Sequence, residues 1–187
     1  MSAIVDVRLR DLESGDSDRL LAWRNQADVR RWMYTDHVIA PAEHERWFAG
    51  ALQDPSRRHW VVEWESRPVG LASVEIVQTH RRAVWGWYLG DPAARGRGVG
   101  AYAQFCGIEK VFGELGLNRL WSEVLAENEA AWRLHEAFGF KREALFRAHV
   151  WKGGAAQDVV GLGLLASDWA GLREESRQRL LARGLPV

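Results

Sequence analysis

The sequence contains one cysteine, Cys106, and no run of apolar residues long enough to cross a bilayer. A single cysteine excludes an internal disulfide framework, and we interpret Cys106 as a core residue because it lies on the apolar side of a predicted helix. Neither a signal-length apolar run near the start nor an apolar stretch of ~18 residues occurs. We therefore expect a soluble, cytoplasmic protein.

Net charge is also absent, since 25 Lys and Arg residues balance 25 Asp and Glu residues. This balance excludes a broad electrostatic attraction, and we expect neither nucleic acid nor membrane as a partner. The length of 187 residues predicts a single domain over 1–187, with a core at about 5–165 and a C-terminal amphipathic helix at about 167–183. Eleven tryptophans suggest aromatic-lined pockets or an interface as well as a core.

Apolar periodicity predicts strands alternating with helices. Strands are expected in "IVDVRLRDL", "HWVVEWE", "VGLASVEIV", "AVWGWYLG" and "LNRLWSEVLAEN". Asp16 or Ser17 is expected to cap the first helix, and Pro41 to begin another. Hairpin turns are expected at residues 66–68 and at Gly153-Gly154.

Three glycines alternate with other residues in "RGRGVG", residues 95–100, between a predicted strand and a predicted helix. A Rossmann loop needs the spacing G-x-G-x-x-G, and a Walker loop needs a lysine after the glycines, so neither matches. An RGG-like nucleic-acid segment conflicts with the ordered elements on both sides. Two interpretations stay open: a loop that allows close helix packing, or a phosphate site made by bare backbone N–H groups at a helix start.

Two segments together indicate a family. "RGRGVG", with Arg95, Gly98 and Gly100, resembles the coenzyme A loop R/Q-x-x-G-x-G/A of the Gcn5-related N-acetyltransferase (GNAT) family. "ENEAAWRLHEAFGF", residues 127–140, is similar to the family segment that begins with asparagine and ends in G-F. The two segments lie in the family's order, separated by a predicted helix and a predicted strand.

The resemblance implies an α/β (α+β) fold: a mixed, mostly antiparallel sheet of six to seven strands, splayed in its middle, with helices on both faces. Acetyl-CoA is the implied cosubstrate, with no metal ion, and it would lie in the splay between residues 85–89 and 119–125. Its pantetheine arm would pair with the backbone of Tyr88 and Leu89. Asn128 would contact the arm, cap the following helix, or do both. The residues implied for the pyrophosphate are Arg95, Gly96, Arg97, Gly98, Val99 and Gly100.

Acetyl transfer to an amine needs a neutral amine, a stabilised oxyanion and a proton for the departing thiolate. The Leu89 N–H is the expected oxyanion donor. Glu123, followed by valine as in peptide-acetylating relatives, is the expected base, directly or through water, and Glu75 is its competitor. His135 stands where many relatives have tyrosine. We expect it to be an acid kept charged by a modest rise of its pKa from ~6.5, or to hydrogen-bond the sulfur while water supplies the proton.

The stretch "LAWRNQADVRRWMYTDHVIAPAEHERWF" resembles the GNAT subgroup that acetylates the nucleotide-linked amino sugar of pseudaminic acid biosynthesis. This resemblance favours a small-molecule amine, a UDP-linked amino sugar, as the acceptor. Aromatic rings would stack on sugar or uracil, and arginines would meet the diphosphate. The residues expected to bind substrate are Arg24, Asn25, Arg30, Trp32, Tyr34, His37 and Glu75.

Other functions stay open. The resemblance extends loosely to enzymes that acetylate ribosomal-protein N-termini and to polyamine acetylases. A polyamine pocket would need clustered carboxylates, and arginines stand among the acids of this stretch. A module that binds acetyl-CoA without turnover is an alternative of another class. The last helix could cover the sheet or pair with a second subunit, so a homodimer is possible.

Overall fold

The computed structural model describes residues 6–185, so Val5, at which the core was expected to begin, lies outside the described residues. Within these described residues, seven strands and six α-helices follow one another. In chain order they are β1 (Val7–Asp11), α1 (Ser17–Asn25), α2 (Ala27–Arg30), α3 (Pro41–Ala51), β2 (Arg57–Trp64), β3 (Arg67–Val77), β4 (Arg82–Leu89), α4 (Val99–Glu109), β5 (Arg119–Leu125), α5 (Glu129–Ala137), β6 (Lys141–Lys152), β7 (Ala155–Leu165) and α6 (Ala166–Leu181).

The strands form one 7-stranded sheet in the order β1-β2-β3-β4-β5-β7-β6. Neighbouring strands run antiparallel, except that β4 and β5 run parallel. The expected mixed, mostly antiparallel α/β fold is therefore confirmed.

β4 and β5 separate soon after they meet. In the described chain their pairing consists of Arg82–Arg119, Ala83–Leu120 and Val84–Trp121. Beyond these pairs β4 stays paired with β3 as far as Leu89, and β5 stays paired with β7 as far as Leu125. Each strand thus keeps one neighbour and loses the other, which opens a wedge in the middle of the sheet.

Helices cover both faces of the sheet. The larger core contains buried residues of α4, α5 and α6, and it includes Trp60 and Val62 of β2. The smaller core contains Leu20, Trp23, Phe48, Val61 and Leu71, and so joins α1 and α3 to the opposite face.

Helix α4 packs very closely on β4. Gln104 is fully buried, and its Oε1 accepts hydrogen bonds from Nε1 of Trp85 (2.9 Å) and Nε1 of Trp87 (2.8 Å). A Cβ added at Gly107 would lie 2.1 Å from the Trp85 ring, and one at Gly100 would lie 2.7 Å from the Trp87 ring. These two glycines therefore allow the approach that holds β4 in place beside the wedge.

Two local expectations need correction. The turn between β2 and β3 is made by Glu65 and Ser66, at φ of 50° and 61°, because residues 67 and 68 already belong to β3. Asp16 occupies the N-cap position of α1, but its side chain makes no cap bond. Its two carboxylate oxygens instead accept hydrogen bonds of 2.7 Å from Arg10. The Gly153-Gly154 turn is confirmed, with φ of 60° and 78°.

The last helix, α6, covers the sheet of its own chain. Trp169 and Leu180 are each 3% exposed and belong to the larger core. The Trp169 indole also donates from Nε1 to Glu109 of α4 (2.7 Å). The apolar face of α6 is therefore used within the chain, while the homodimer stays a prediction. Among residues 6–185 we find no helix both long and apolar enough to cross a membrane.

We expect Gly107→Ala to lower the free energy of unfolding by about 1–3 kcal/mol, since its Cβ would overlap the buried Trp85 ring. Gly113→Ala is the matched control, because a Cβ at that position has nothing within 4 Å. Urea unfolding of both variants would measure the difference. Equal stabilities would contradict the close packing of α4 on β4.

Candidate active site

The wedge between β4 and β5 opens into a cavity of about 870 Å³. Its walls come from the four strands β2 to β5, the start of α4, helix α5, and the region of α1 to α3. Most residues predicted for acetyl-CoA line this cavity: Tyr88, Leu89, Arg95, Gly96, Gly98, Gly100, Asn128 and His135. Of the residues predicted to bind the acceptor, Arg24 and Trp32 line it.

The glycine loop leads directly into α4. Gly96 and Gly98 have φ of 73° and 83°, in the left-handed region that glycine adopts without strain. The first hydrogen bond of the helix runs from the Tyr102 N–H to the Gly98 carbonyl (3.0 Å). The preceding N–H groups of the first turn therefore have no partner within the helix. They form the kind of positively polarised helix start that binds phosphate.

The individual residues of the loop differ in what they can offer. Arg95 donates to Asp28 (3.2 Å) and to the Leu89 carbonyl (3.3 Å) at the cavity wall. Arg97 is exposed and does not belong to the cavity lining, and the Val99 side chain is buried in the core. For Val99 the predicted contact with phosphate can therefore come from its backbone alone.

Leu89 presents its backbone to the wedge. The Gly90 N–H donates to the Val69 carbonyl on β3 (2.8 Å), and backbone groups point alternately to the two sides of a strand. The N–H of Leu89 therefore points into the wedge. By the same alternation the backbone of Tyr88 faces β3, although Tyr88 is one of the lining residues.

Asn128 stands at the start of α5 and lines the cavity. Its Oδ1 accepts a 3.4 Å hydrogen bond from the Ala131 N–H, which is the capping contact expected from the sequence. The predicted contact with the pantetheine arm remains a proposal beside this structural role.

His135 is 3% exposed, on α5, and also lines the cavity. Its Nδ1 lies 2.8 Å from the Ala131 carbonyl, so we assign the ring proton to Nδ1 as the donor. Its Nε2 is buried without a partner among the described residues. Burial lowers the pKa of His135 to about 4. The expectation that a raised pKa keeps this ring charged near neutrality is therefore wrong, and neutral Nε2 is an acceptor.

Glu123 projects from β5 into the cavity. Its Oε2 accepts a hydrogen bond from the Tyr34 hydroxyl (2.8 Å), and its Oε1 accepts one from Trp121 Nε1 (3.2 Å). Burial and the bond to the carboxylate raise the pKa of Tyr34, so its hydroxyl stays a donor. Two donors thus orient the carboxylate that the sequence proposes as the base.

Several residues predicted to bind substrate are engaged elsewhere. Asn25 uses both ends of its side-chain amide on the backbone of Ile39, at 2.9 and 2.8 Å, and thereby anchors the segment before α3. His37 is exposed and lies 3.0 Å from both carboxylate oxygens of Glu43. Glu75 is bound to Arg57 (2.7 Å) and does not line the main cavity.

Residues 31–40 form an irregular segment that carries Tyr34 and His37. The nearly buried Lys152, from the β6–β7 hairpin, donates to the carbonyl of Arg30 (2.8 Å) and also to that of Met33. The contribution of Arg30 is therefore a carbonyl that anchors the segment, and its side chain is not in the cavity lining. Trp32 does line the cavity, with the Arg31 guanidinium 4.3 Å from its ring centre.

Arg24 enters the cavity from α1. Its Nη1 is buried without a hydrogen-bond partner among the described residues, and burial lowers the pKa of the guanidinium. The Tyr88 hydroxyl, on the facing wall, is likewise buried without a partner. This pair provides unsatisfied polar groups on the acceptor side.

Sequence reasoning missed other lining residues, among them His44, His59 and Ser73. Alternation along "RRHWVVEW" could have placed His59 on the same face as Val61. Nothing in the sequence indicated that this face borders the cavity. Within residues 6–185 no three His, Cys, Asp or Glu side chains are grouped as metal ligands.

Residues 6–141 match the family described as "Acetyltransferase (GNAT) domain". The chain belongs to the GNAT acetyltransferase family. The match covers the strands on both sides of the wedge, the glycine loop and α5, and so confirms the resemblance carried by the two sequence segments.

Individual GNAT relatives cover most of this chain. Spermidine N(1)-acetyltransferase of Vibrio cholerae is 26% identical over 163 residues, which are 86% of this chain and 94% of the relative. Acetyltransferase PseH of Campylobacter jejuni is 25% identical over 126 residues, 67% and 77% of the two chains. The crystal structure of the Vibrio cholerae spermidine N-acetyltransferase with CoA and spermine has the same fold, with TM-score 0.82, 24% identity and coverage of 88% and 98%.

The protein is thus an acetyl-CoA-dependent N-acetyltransferase of the GNAT type. The loop fits this cosubstrate, because a Cβ at Gly96 would enter open space and the helix start beyond it offers N–H donors. Acetyl-CoA supplies an acetyl group that is activated as a thioester. This chain contributes the glycine loop at residues 95–100, the unpaired edge of β4, and the cavity that adjoins that edge.

We expect the free energy of unfolding to fall as the pH is lowered from about 6.5 to about 4, because the unfolded His135 binds a proton there while the folded one, with its pKa lowered to about 4, does not. The loss is of order 3 kcal/mol. Urea unfolding across this pH range should show a shallower fall for His135→Leu. His80→Leu, an exposed histidine, should keep the wild-type slope. Equal slopes in all three proteins would contradict the burial of a neutral His135.

Proposed function

We propose that this N-acetyltransferase acetylates the primary amine of a nucleotide-linked amino sugar, with a UDP-linked sugar as the example to test. The observation that carries the proposal is the guanidinium of Arg24, which lines the cavity and whose Nη1 is buried without a hydrogen-bond partner among the described residues. A buried cation without a counter-charge favours a ligand that brings negative charge, such as a diphosphate.

The other charges around the cavity support the same choice. Asp28 is paired with Arg95, and Glu43 is hydrogen-bonded to His37. Glu123 is therefore the carboxylate without a basic partner among the described lining residues. One carboxylate suits one amine, whereas a polycation would have to approach Arg24 without compensation.

The reaction follows from the positions of a few groups. Glu123, held by Tyr34 and Trp121, would take the proton of the attacking amine, directly or through water. The Leu89 N–H would stabilise the oxyanion that forms on the acetyl carbonyl. His135 is neutral and donates its one ring proton to Ala131, so water would give the thiolate its proton.

A polyamine is the second candidate, favoured by one observation. A spermidine N(1)-acetyltransferase of Vibrio cholerae resembles this chain over 86% of its length. A protein N-terminus remains an alternative acceptor, since the sequence resemblance extends to enzymes that acetylate ribosomal proteins. A module that binds acetyl-CoA without turnover remains the alternative that is not an enzyme.

The decisive experiment measures acetyl-CoA-dependent thiol release with a UDP-linked 4-amino sugar, spermidine, an N-terminal peptide of a ribosomal protein, and no acceptor. We expect turnover with the nucleotide sugar. Arg24→Met should raise the KM for it about 10–100-fold, because a charge-assisted bond to the diphosphate is lost. Faster spermidine turnover in Arg24→Met than in the wild type, with no turnover of the nucleotide sugar by either, would overturn the proposal. Binding of acetyl-CoA without any turnover would favour the non-catalytic module.

We expect Glu123→Gln to lower kcat about 10²–10³-fold with little change in acetyl-CoA affinity, because the amide cannot accept the proton of the amine. Glutamine retains an oxygen that can accept the bond from Tyr34, so the local geometry should survive. Glu114→Gln, on the surface and paired with Lys110, is the matched control. A Glu123→Gln enzyme with wild-type kcat would exclude Glu123 as the base.

A further inference from the structure

A row of residues crosses the floor of the cavity on the face covered by α1 and α3. His59 of β2 is paired with Ser73 of β3, and Ser73 is paired with Gly86 of β4. Paired residues of neighbouring strands project to the same face, so His59 and Ser73 stand side by side. All three residues line the cavity.

The row continues across the wedge towards the proposed base. The parallel pairs of β4 and β5 end at Val84–Trp121, and the same register carried two residues further brings Gly86 opposite Glu123. A Cβ at Gly86 would have nothing within 4 Å, so this position is a gap in the floor. His59 and Ser73 therefore lie on one side of an open space and Glu123 on the other.

In the described part of the chain, neither ring nitrogen of His59 has a hydrogen-bond partner. Both Nδ1 and Nε2 are buried and unsatisfied among the described residues, and the ring packs at an edge angle of 76° on Trp47. Burial lowers the pKa of His59, so its ring is neutral and offers one donor and one acceptor. Leaving such a buried group unpaired is costly, and a ligand that pairs with it removes the cost.

The position of His59 excludes a direct role in the transfer itself. It lies two strands away from Gly86, about 10 Å at the usual spacing of strands, and Leu89 lies three residues further along β4, about another 10 Å. A group bound at His59 is therefore remote from the carbonyl that Leu89 would polarise. It belongs to the far part of the acceptor.

We propose that His59 and Ser73 form a subsite that binds an uncharged hydrogen-bonding group, a hydroxyl or an amide, in the part of the acceptor remote from its reacting amine. This inference rests on the proposed function, since an amino sugar nucleotide carries such groups whereas the far end of a polyamine carries ammonium. The neighbouring Arg57 is occupied by Glu75 and Asp54, which leaves the imidazole and the hydroxyl as the recognition groups.

The test compares His59→Leu and His59→Gln with the wild type, using the UDP-linked 4-amino sugar as the probe. We expect His59→Leu to raise the KM for the sugar about tenfold, with kcat and the KM for acetyl-CoA within about twofold of wild type. His59→Gln, which keeps a donor and an acceptor, should recover part of the loss. His80→Leu, at an exposed position outside the cavity lining, is the matched control. An unchanged KM in His59→Leu would overturn the proposal.

Gly86→Val gives a second variant that does not depend on removing a polar group. The side chain would enter open space at a strand position without positive φ, so folding should be preserved. We expect it to block the gap and raise the KM for the sugar at least tenfold, while thermal unfolding and acetyl-CoA affinity stay near wild type. Wild-type kinetics for Gly86→Val would show that the acceptor does not cross this floor.

Failure of the subsite and failure of the proposed function give different results. If the wild type acetylates a peptide instead of the nucleotide sugar, the proposed function fails, and the His59→Leu comparison is made with that peptide, where a tenfold rise in KM supports the subsite. If spermidine is the acceptor, or if no acceptor is turned over or bound, no ligand of the stated class uses His59 and the inference is overturned.

Discussion

The early separation of β4 from β5 is the constraint on which the site depends. Three residue pairs hold the two strands together, and each strand then follows its other neighbour. The separation is kept open because both strands are fixed from behind. Trp85 and Trp87 of β4 share the Gln104 amide of α4, and β5 is paired along its length with β7. A gap in a sheet is thus made rigid by packing on the faces of the sheet.

Much of this architecture could be predicted because it depends on local patterns. The glycine loop before α4, the asparagine that begins α5 and the alternation in β4 are all contained in short windows of sequence. The wedge and its cosubstrate were expected from the resemblance to the GNAT family that these segments carry. The corrections in the fold are small shifts, such as the turn at Glu65 and Ser66, where two residues of positive φ stand although neither is glycine.

The acceptor side was less predictable because partners in space decide the role of a polar side chain. Asn25 and Glu75 carry suitable chemistry, but Ile39 and Arg57 use it. His135 was recognised by its position in a motif, while the burial that lowers its pKa comes from how the folded chain packs around its ring, which contacts Phe140. His59 has no motif at all. Its significance lies in two missing hydrogen bonds, and a sequence cannot show an absence of that kind.

The open edge of β4 has a thermodynamic consequence. Backbone groups of a strand that lack a partner leave the native sheet incomplete, and a ligand that pairs with them binds the folded chain and not the unfolded one. By linkage, a ligand present at about 100 times its dissociation constant would add roughly 2.7 kcal/mol to the stability of the fold. The melting temperature of this protein would therefore rise with the concentration of acetyl-CoA, as would the rate of acetyl transfer. The free energy of unfolding measured without acetyl-CoA would be a lower bound for that of the enzyme with acetyl-CoA bound.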